Sequence, residues 1–141
     1  MNADENHKET VILCFDPEDK EIASDVRISC GEKSVTVRAL WDTGANKSSV
    51  AWDIIEQLEA VSCRDILRIT DIDTTTEKVY MLNLHISPSM EFNGIEMVRS
   101  SIGSRKCKAI IGMDIIMKGQ FVFINNNGKY FAAYTYNSKG E

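Results

Sequence analysis

Proline, histidine and long apolar runs are scarce in this chain, and positive charge is in deficit. Only 2 prolines and 2 histidines occur among 141 residues. Nothing therefore reads as a rigid linker dividing the chain, and little is left from which to build a zinc site. With 16 Lys and Arg against 21 Asp and Glu, the net charge of -5 argues against a nucleic-acid partner, which needs a basic face. No apolar run approaches a membrane span, and the polar segment Met1–Thr10 does not read as a signal peptide, so no membrane partner is expected. Cys14, Cys30, Cys63 and Cys107 never form a C-x-x-C pair. They are expected as reduced thiols in a cytoplasmic compartment. No metal and no cofactor are expected.

What is present suits one soluble domain with a real core: 43% of residues are hydrophobic and 26% charged. Residues 1–10 lack periodicity and are expected as a flexible tail, with the domain over 11–141. Short apolar runs predict strands at Val11–Phe15, Ile22–Ser29 and Val35–Trp41, with turns over Asp16–Lys20 and Cys30–Lys33. Ile54, Ile55 and Leu58 recur at helical spacing and predict a helix over Trp52–Ala60, with Trp52 as a further core contact. Ile66–Ile69 and Val79–Ile86 read as a long hairpin joined by the polar stretch Asp71–Lys78. Further strands are expected at Ile95–Val98 and Ala109–Ile111. Asp114 is expected to cap a short helix, Ile115–Lys118, which Gly119 closes. Phe121–Ile124 and Tyr130–Tyr136, joined through Asn125–Gly128, predict a closing hairpin. Mostly strands with two short helices is an all-β domain.

The chemistry concentrates in Trp41-Asp42-Thr43-Gly44-Ala45, where a strand delivers an acid into a tight turn of small residues. About one chain in a few tens of this length carries Asp-Thr-Gly by chance. Here the tripeptide follows a strand and precedes Ser48–Ala51 and a helix, as a strand-turn-strand presentation requires. A second stretch, Ile110-Ile111-Gly112, also leads into a short helix. Amide hydrolysis by acid–base chemistry is easiest with two carboxylates sharing one proton. The motif occurs once, so a catalytic Asp42 needs Asp42 of a second chain across a two-fold axis.

These residues, with the run Ala109–Phe121, make the chain resemble the retroviral-type aspartic proteases, the retropepsins, and most closely their single-domain bacterial and phage branch. The resemblance extends over about residues 22–136. It implies a single-lobe pepsin-like half-barrel, active as a two-fold homodimer, that hydrolyses protein substrates bound in extended conformation. Asp42 and its symmetry mate would activate a water molecule, and Thr43 would hydrogen-bond across the axis. Gly44 would let backbone approach the carboxylate. Ile110, Ile111 and Gly112 would support the loop from beneath. The hairpin Arg64–Ile86 would be the flap, with its tip over Ile69–Thr76, including Ile69, Thr70, Asp71, Ile72 and Asp73, and Ala45 beside the substrate. Alanine cannot donate to the carboxylates as a hydroxyl residue would, which implies a mildly acidic to neutral pH optimum. The flap contains no glycine. Asn46 and Met113 stand where viral members carry an acid and an arginine, so that ion pair is absent.

Blander readings accompany each motif. Asp42–Gly44 also suits an Asx turn. Asp71 and Asp73 with Glu77 lack a calcium loop's glycine and distal acid, so a solvated turn is expected. His7 falls in the tail, and His85 shares the polar phase of a strand with Asn83, so it is expected at the surface. Cys63 and Cys107 lack a histidine partner for nucleophilic catalysis. The alternative to an endopeptidase is a catalytically silent dimeric module of the same fold that binds peptides or drives assembly.

Overall fold

The computed structural model describes residues 8–69, 71–101 and 106–138. These form β1 (Lys8–Asp16), β2 (Glu21–Cys30), β3 (Lys33–Trp41), β4 (Ser49–Ala51), α1 (Trp52–Leu58), β5 (Ser62–Ile69) and β6 (Thr74–Ser87). Then come β7 (Met90–Ser100), β8 (Ala109–Ile111), α2 (Met113–Ile116), β9 (Gln120–Asn126) and β10 (Lys129–Asn137). The domain is all-β with two short helices, as expected from the sequence.

Six strands close on themselves in the order β2-β3-β8-β4-β7-β6, and β6 returns to pair with β2 through Arg27–Ser29 and His85–Asn83. β5 hangs on β6 as an outer strand, while β1, β10 and β9 continue from the start of β2 to the far edge. Alternating residues point inward. Val26, Ile28, Val37, Ala39 and Trp41 meet Leu82, Leu84, Met97 and Ile111 in one buried cluster, which α1 covers with Ile54, Ile55 and Leu58. The Trp41 indole donates to Ser24 Oγ at 2.9 Å, and its ring packs 4.9 Å from that of Tyr134. Tyr134 in turn donates to the Ile115 carbonyl at 2.7 Å. Burial holds its hydroxyl above the usual phenol range, so this donor stays protonated.

Several expectations change. β1 begins at Lys8, inside the segment read as a tail. Lys8–Thr10 pair with Thr135–Asn137, and Glu9 accepts from the hydroxyls of Ser87 and Ser89. Residues 1–7 lie outside the described residues. The connection read as Asp71–Lys78 is shorter, because Thr74–Lys78 continue β6 against β5. Their faces are largely solvated, so no apolar alternation marked them. β7 extends well beyond Ile95–Val98, and Gly94 N donates to Asn83 Oδ1 where its register with β6 shifts. β4 is only three residues long and falls within Ser48–Ala51, where a strand after the turn is expected. Gly119 is required by packing: a Cβ there would sit 2.3 Å from the Thr135 carbonyl oxygen. The closing hairpin turns through Asn127 and Gly128, both at positive φ, as an Asn-Gly turn demands.

Two side chains depart from their expected places. Trp52 is 47% exposed and stacks under Arg99, not in the core with Ile54 and Leu58. As the first residue of α1 it lies off the buried stripe. His85 is only 8% exposed. Its neighbours across the sheet are Arg27 and Glu91, and its Nε2 lies 3.1 Å from Ser29 Oγ. The closure of β6 on β2 covers what one isolated strand would leave wet.

Candidate active site

β3 and β8 run parallel, pairing Ala39 with Ala109, Leu40 with Ile110 and Trp41 with Ile111. Both strands end together, and their exits are stitched. Asp42 N donates to Ile111 O at 2.9 Å, Met113 N to Ala45 O at 2.7 Å, and Asp114 N to Asn46 O at 3.2 Å. The loop after β3 therefore lies directly against Ile111–Asp114. Gly112 permits this approach, since a Cβ would come within 2.8 Å of Ala45 O and of the Lys47 carbonyl carbon.

Asp42 sits half-exposed at the start of that loop. Its Oδ1 accepts from Gly44 N at 2.8 Å, and its carbonyl accepts from Ala45 N at 3.2 Å, an Asx turn inside a β-turn. Oδ2 accepts no hydrogen bond from the described residues. A Cβ on Gly44 would stand 3.1 Å from Oδ1, so glycine keeps this amide close to the carboxylate. Thr43 is exposed. The Asx turn thus holds one carboxylate oxygen and leaves the other without a hydrogen bond from the described residues.

Asp114 does not cap α2. Gly112 occupies the N-cap without a side-chain bond, and Asp114 lies in the first turn. Its Oδ1 accepts from Ser48 Oγ at 2.8 Å and its Oδ2 from Ser48 N at 3.0 Å, while Gly112 N donates to Ser48 Oγ at 3.0 Å. Sequence reasoning missed this clamp. The signal was an acid two residues after Gly112 and a serine four after Gly44.

Two depressions flank the loop. Gly44, Ala45, Lys47 and Ile110 form one wall of a cleft of about 680 Å³, whose roof is Ile66, Leu67 and Glu77 from the β5–β6 hairpin. Asp42 itself lines a second cleft of about 560 Å³ with Phe15, Trp41, Phe123 and Tyr130. The hairpin residues expected at the flap tip line neither cleft: Ile69 is 76% exposed, Ile72 94%, and Asp71 is open to solvent. Thr70 lies outside the described residues. The hairpin meets the loop through its base instead. Glu96 receives Arg64 Nε at 3.1 Å and lies 3.5 Å from Lys47 Nζ, joining β5, β7 and the loop. The Arg64 hydrogen bond holds the Glu96 carboxyl below its usual range, and Arg64 is correspondingly raised.

Among the described residues no three His, Cys, Asp or Glu side chains gather as a metal site, and none of Cys14, Cys30, Cys63 and Cys107 forms a disulfide. No helix among them is long and apolar enough to cross a membrane.

No family model matches this chain. No curated protein matches it either. Among solved structures it is similar to the crystal structure of a retropepsin-like aspartic protease from Rickettsia conorii, with a TM-score of 0.60 over 94% of each chain and 14% sequence identity. The fold is therefore that of a retropepsin-like aspartic protease.

Proposed function

We propose that this chain is an aspartic endopeptidase that works as a homodimer, of the single-domain bacterial and phage type, acting in the cytoplasm without metal or cofactor. The observation that carries this reading is the Asp42 carboxylate. It is fixed by Gly44 on one oxygen, open on the other, and mounted on a loop tied to Ile111–Asp114 beside a roofed cleft. One carboxylate is half of an acid–base pair, and the second comes from Asp42 of another copy.

In the dimer the ionised carboxylate removes a proton from a shared water, whose oxygen attacks the scissile carbonyl carbon. The protonated partner donates to the carbonyl oxygen, giving a neutral gem-diol. Collapse returns a proton to a carboxylate, while the departing nitrogen receives one and the C–N bond breaks. The pair titrates as a unit. Thr43 joins the two loops, Ile110, Ile111 and Gly112 hold each loop from below, and the β5–β6 hairpin covers an extended substrate.

The surface assigned to the second copy is the β9 edge, whose Phe123 lines a cleft with Asp42. β9 is an edge strand with Val122, Phe123 and Ile124 exposed, next to exposed Tyr130 and Phe131. A long apolar edge is a template for pairing with another chain. The decisive experiment is digestion of unfolded casein by wild type and Asp42→Asn, alongside mass measurement in solution. Cleavage by a dimer, abolished in the variant, supports the endopeptidase. A dimer that cleaves nothing in either form is the silent module.

A further inference from the structure

The cleft beneath the hairpin does not stop at the loop. It shares Glu77, Arg99, Ser100 and Ser101 with an adjoining depression of about 860 Å³ that reaches Trp52 and Lys108. Arg99 therefore stands where the two meet. Its guanidinium carbon lies 4.3 Å over the Trp52 ring centroid, a cation–π arrangement. Trp52 is a large aromatic left half outside the core, and the cation is what it supports.

The other charges nearby are matched differently. Lys108 Nζ lies 3.1 Å from Asp53, and Lys78 Nζ lies 3.6 Å from Asp65. Glu77 has interactions of its own. No carboxylate among the described residues lies within ion-pair distance of Arg99, whose recorded contact is the indole face. A guanidinium presents an N–H fork suited to a planar, bidentate acceptor. Since the Trp52 ring braces the Arg99 head group, less side-chain freedom is lost when the fork is used.

We infer that Arg99, braced on Trp52, binds the carboxylate of an Asp or Glu side chain in the peptide substrate, at a position flanking the scissile bond. The depression continues past Arg99 toward Trp52 and Lys108, so the peptide runs on beyond this contact. An internal acidic side chain suits that path better than a terminal carboxylate. The exposed Asp71 and Asp73 at the hairpin tip oppose acids there, so the preference is confined to the Arg99 end.

This inference rests on the endopeptidase reading, and its test separates the two. Internally quenched peptides that differ only by Glu, Gln or Lys at successive flanking positions are offered to wild type and Arg99→Gln. The same peptides, fluorescently labelled, are titrated against Asp42→Asn and Asp42→Asn/Arg99→Gln without turnover. Wild type is expected to prefer Glu over Gln about tenfold in kcat/KM at one position, and Asp42→Asn to show a matching ratio in Kd. Both ratios fall to about one with Arg99→Gln, and Trp52→Leu lowers them partway. Amidating the peptide C-terminus leaves the preference intact. Equal handling of Glu and Gln at every position overturns the inference while cleavage stands. Absence of cleavage overturns the endopeptidase reading, and the binding ratios still decide the role of Arg99. No binding of any peptide overturns both.

Discussion

Ser48 gives both its backbone and its hydroxyl hydrogen to the single carboxylate of Asp114, and the same hydroxyl oxygen receives the Gly112 amide. Ser48 is fully buried, so none of these bonds can be replaced by solvent. Asp114→Ala strands a buried amide and hydroxyl and is expected to cost about 2–3 kcal/mol, with Ser48→Ala costing about 1–2 kcal/mol. Urea unfolding measures both. In the double variant the losses should be markedly less than additive, because the two residues act as one clamp.

Gly112→Ala separates positioning from folding. The added methyl must displace the backbone of Ala45 and Lys47, which lies against it at 2.8 Å. Shifting a catalytic loop by about 1 Å costs on the order of 10²-fold in rate. The expected result is a folded protein, by circular dichroism, whose kcat falls far more than its stability.

Glu96 couples the hairpin base to the loop through Arg64 and Lys47. Its carboxyl is held below the usual range, first by the Arg64 hydrogen bond. A depressed acid contributes above its unfolded value of about 4.5 and loses that contribution only as pH falls through the lower folded value. The strap should therefore persist through mild acid. Glu96→Gln is expected to raise KM a few-fold at low salt. In about 1 M salt, which screens exposed pairs, wild type and variant should converge.

His85 supplies a second pH dependence of the opposite chemical type. Burial first, then the charge of Arg27, lowers its pKa below 6.5, with Glu91 opposing. The native state favours neutral imidazole, whereas the unfolded chain takes up a proton as pH falls through 6.5. The stability contribution is present above that value and lost below it, until the folded pKa is reached. Melting temperature should drop between about pH 7 and about pH 5 more steeply in wild type than in His85→Gln.

Exposed Val122 and Ile124 on the β9 edge give the assembly its own test. Val122→Glu with Ile124→Lys places charge on that edge and leaves Phe123, which lines the cleft with Asp42, in place. Sedimentation should show monomers at micromolar concentration, and peptide cleavage should vanish while far-ultraviolet circular dichroism is unchanged.

Much of this architecture was legible in the chain. Trp41-Asp42-Thr43-Gly44 and Ile110-Ile111-Gly112 are apolar strands ending in small residues, and the ladder Trp41–Ile111 joins the two ends. The helix at Ile54, Ile55 and Leu58 and the Asn127–Gly128 turn were equally plain, since local spacing and positive φ determine them. What escaped depends on partners remote in sequence. The bounds and partners of β4, though not its place after the turn, are set by β7 and β8 rather than by any pattern in three residues. His85 is buried only because β6 closes on β2. Asp114 lies in the first turn of α2 and accepts from Ile115 N there, yet its other partner, Ser48, sits in the remote loop before β4. Thr74–Lys78 lack alternation because the hairpin that they build stands clear of the core.

The proposed pairing of Asp42 with Asp42 of a second copy carries a kinetic consequence. A polypeptide that contributes one acid to a two-acid centre is inert in isolation, so turnover falls with the square of concentration once dilution parts the copies. Equal mixing with Asp42→Asn chains would leave only about one pairing in four fully equipped by random association. Inactive copies would then act as poisons, and abundance itself would serve as the throttle.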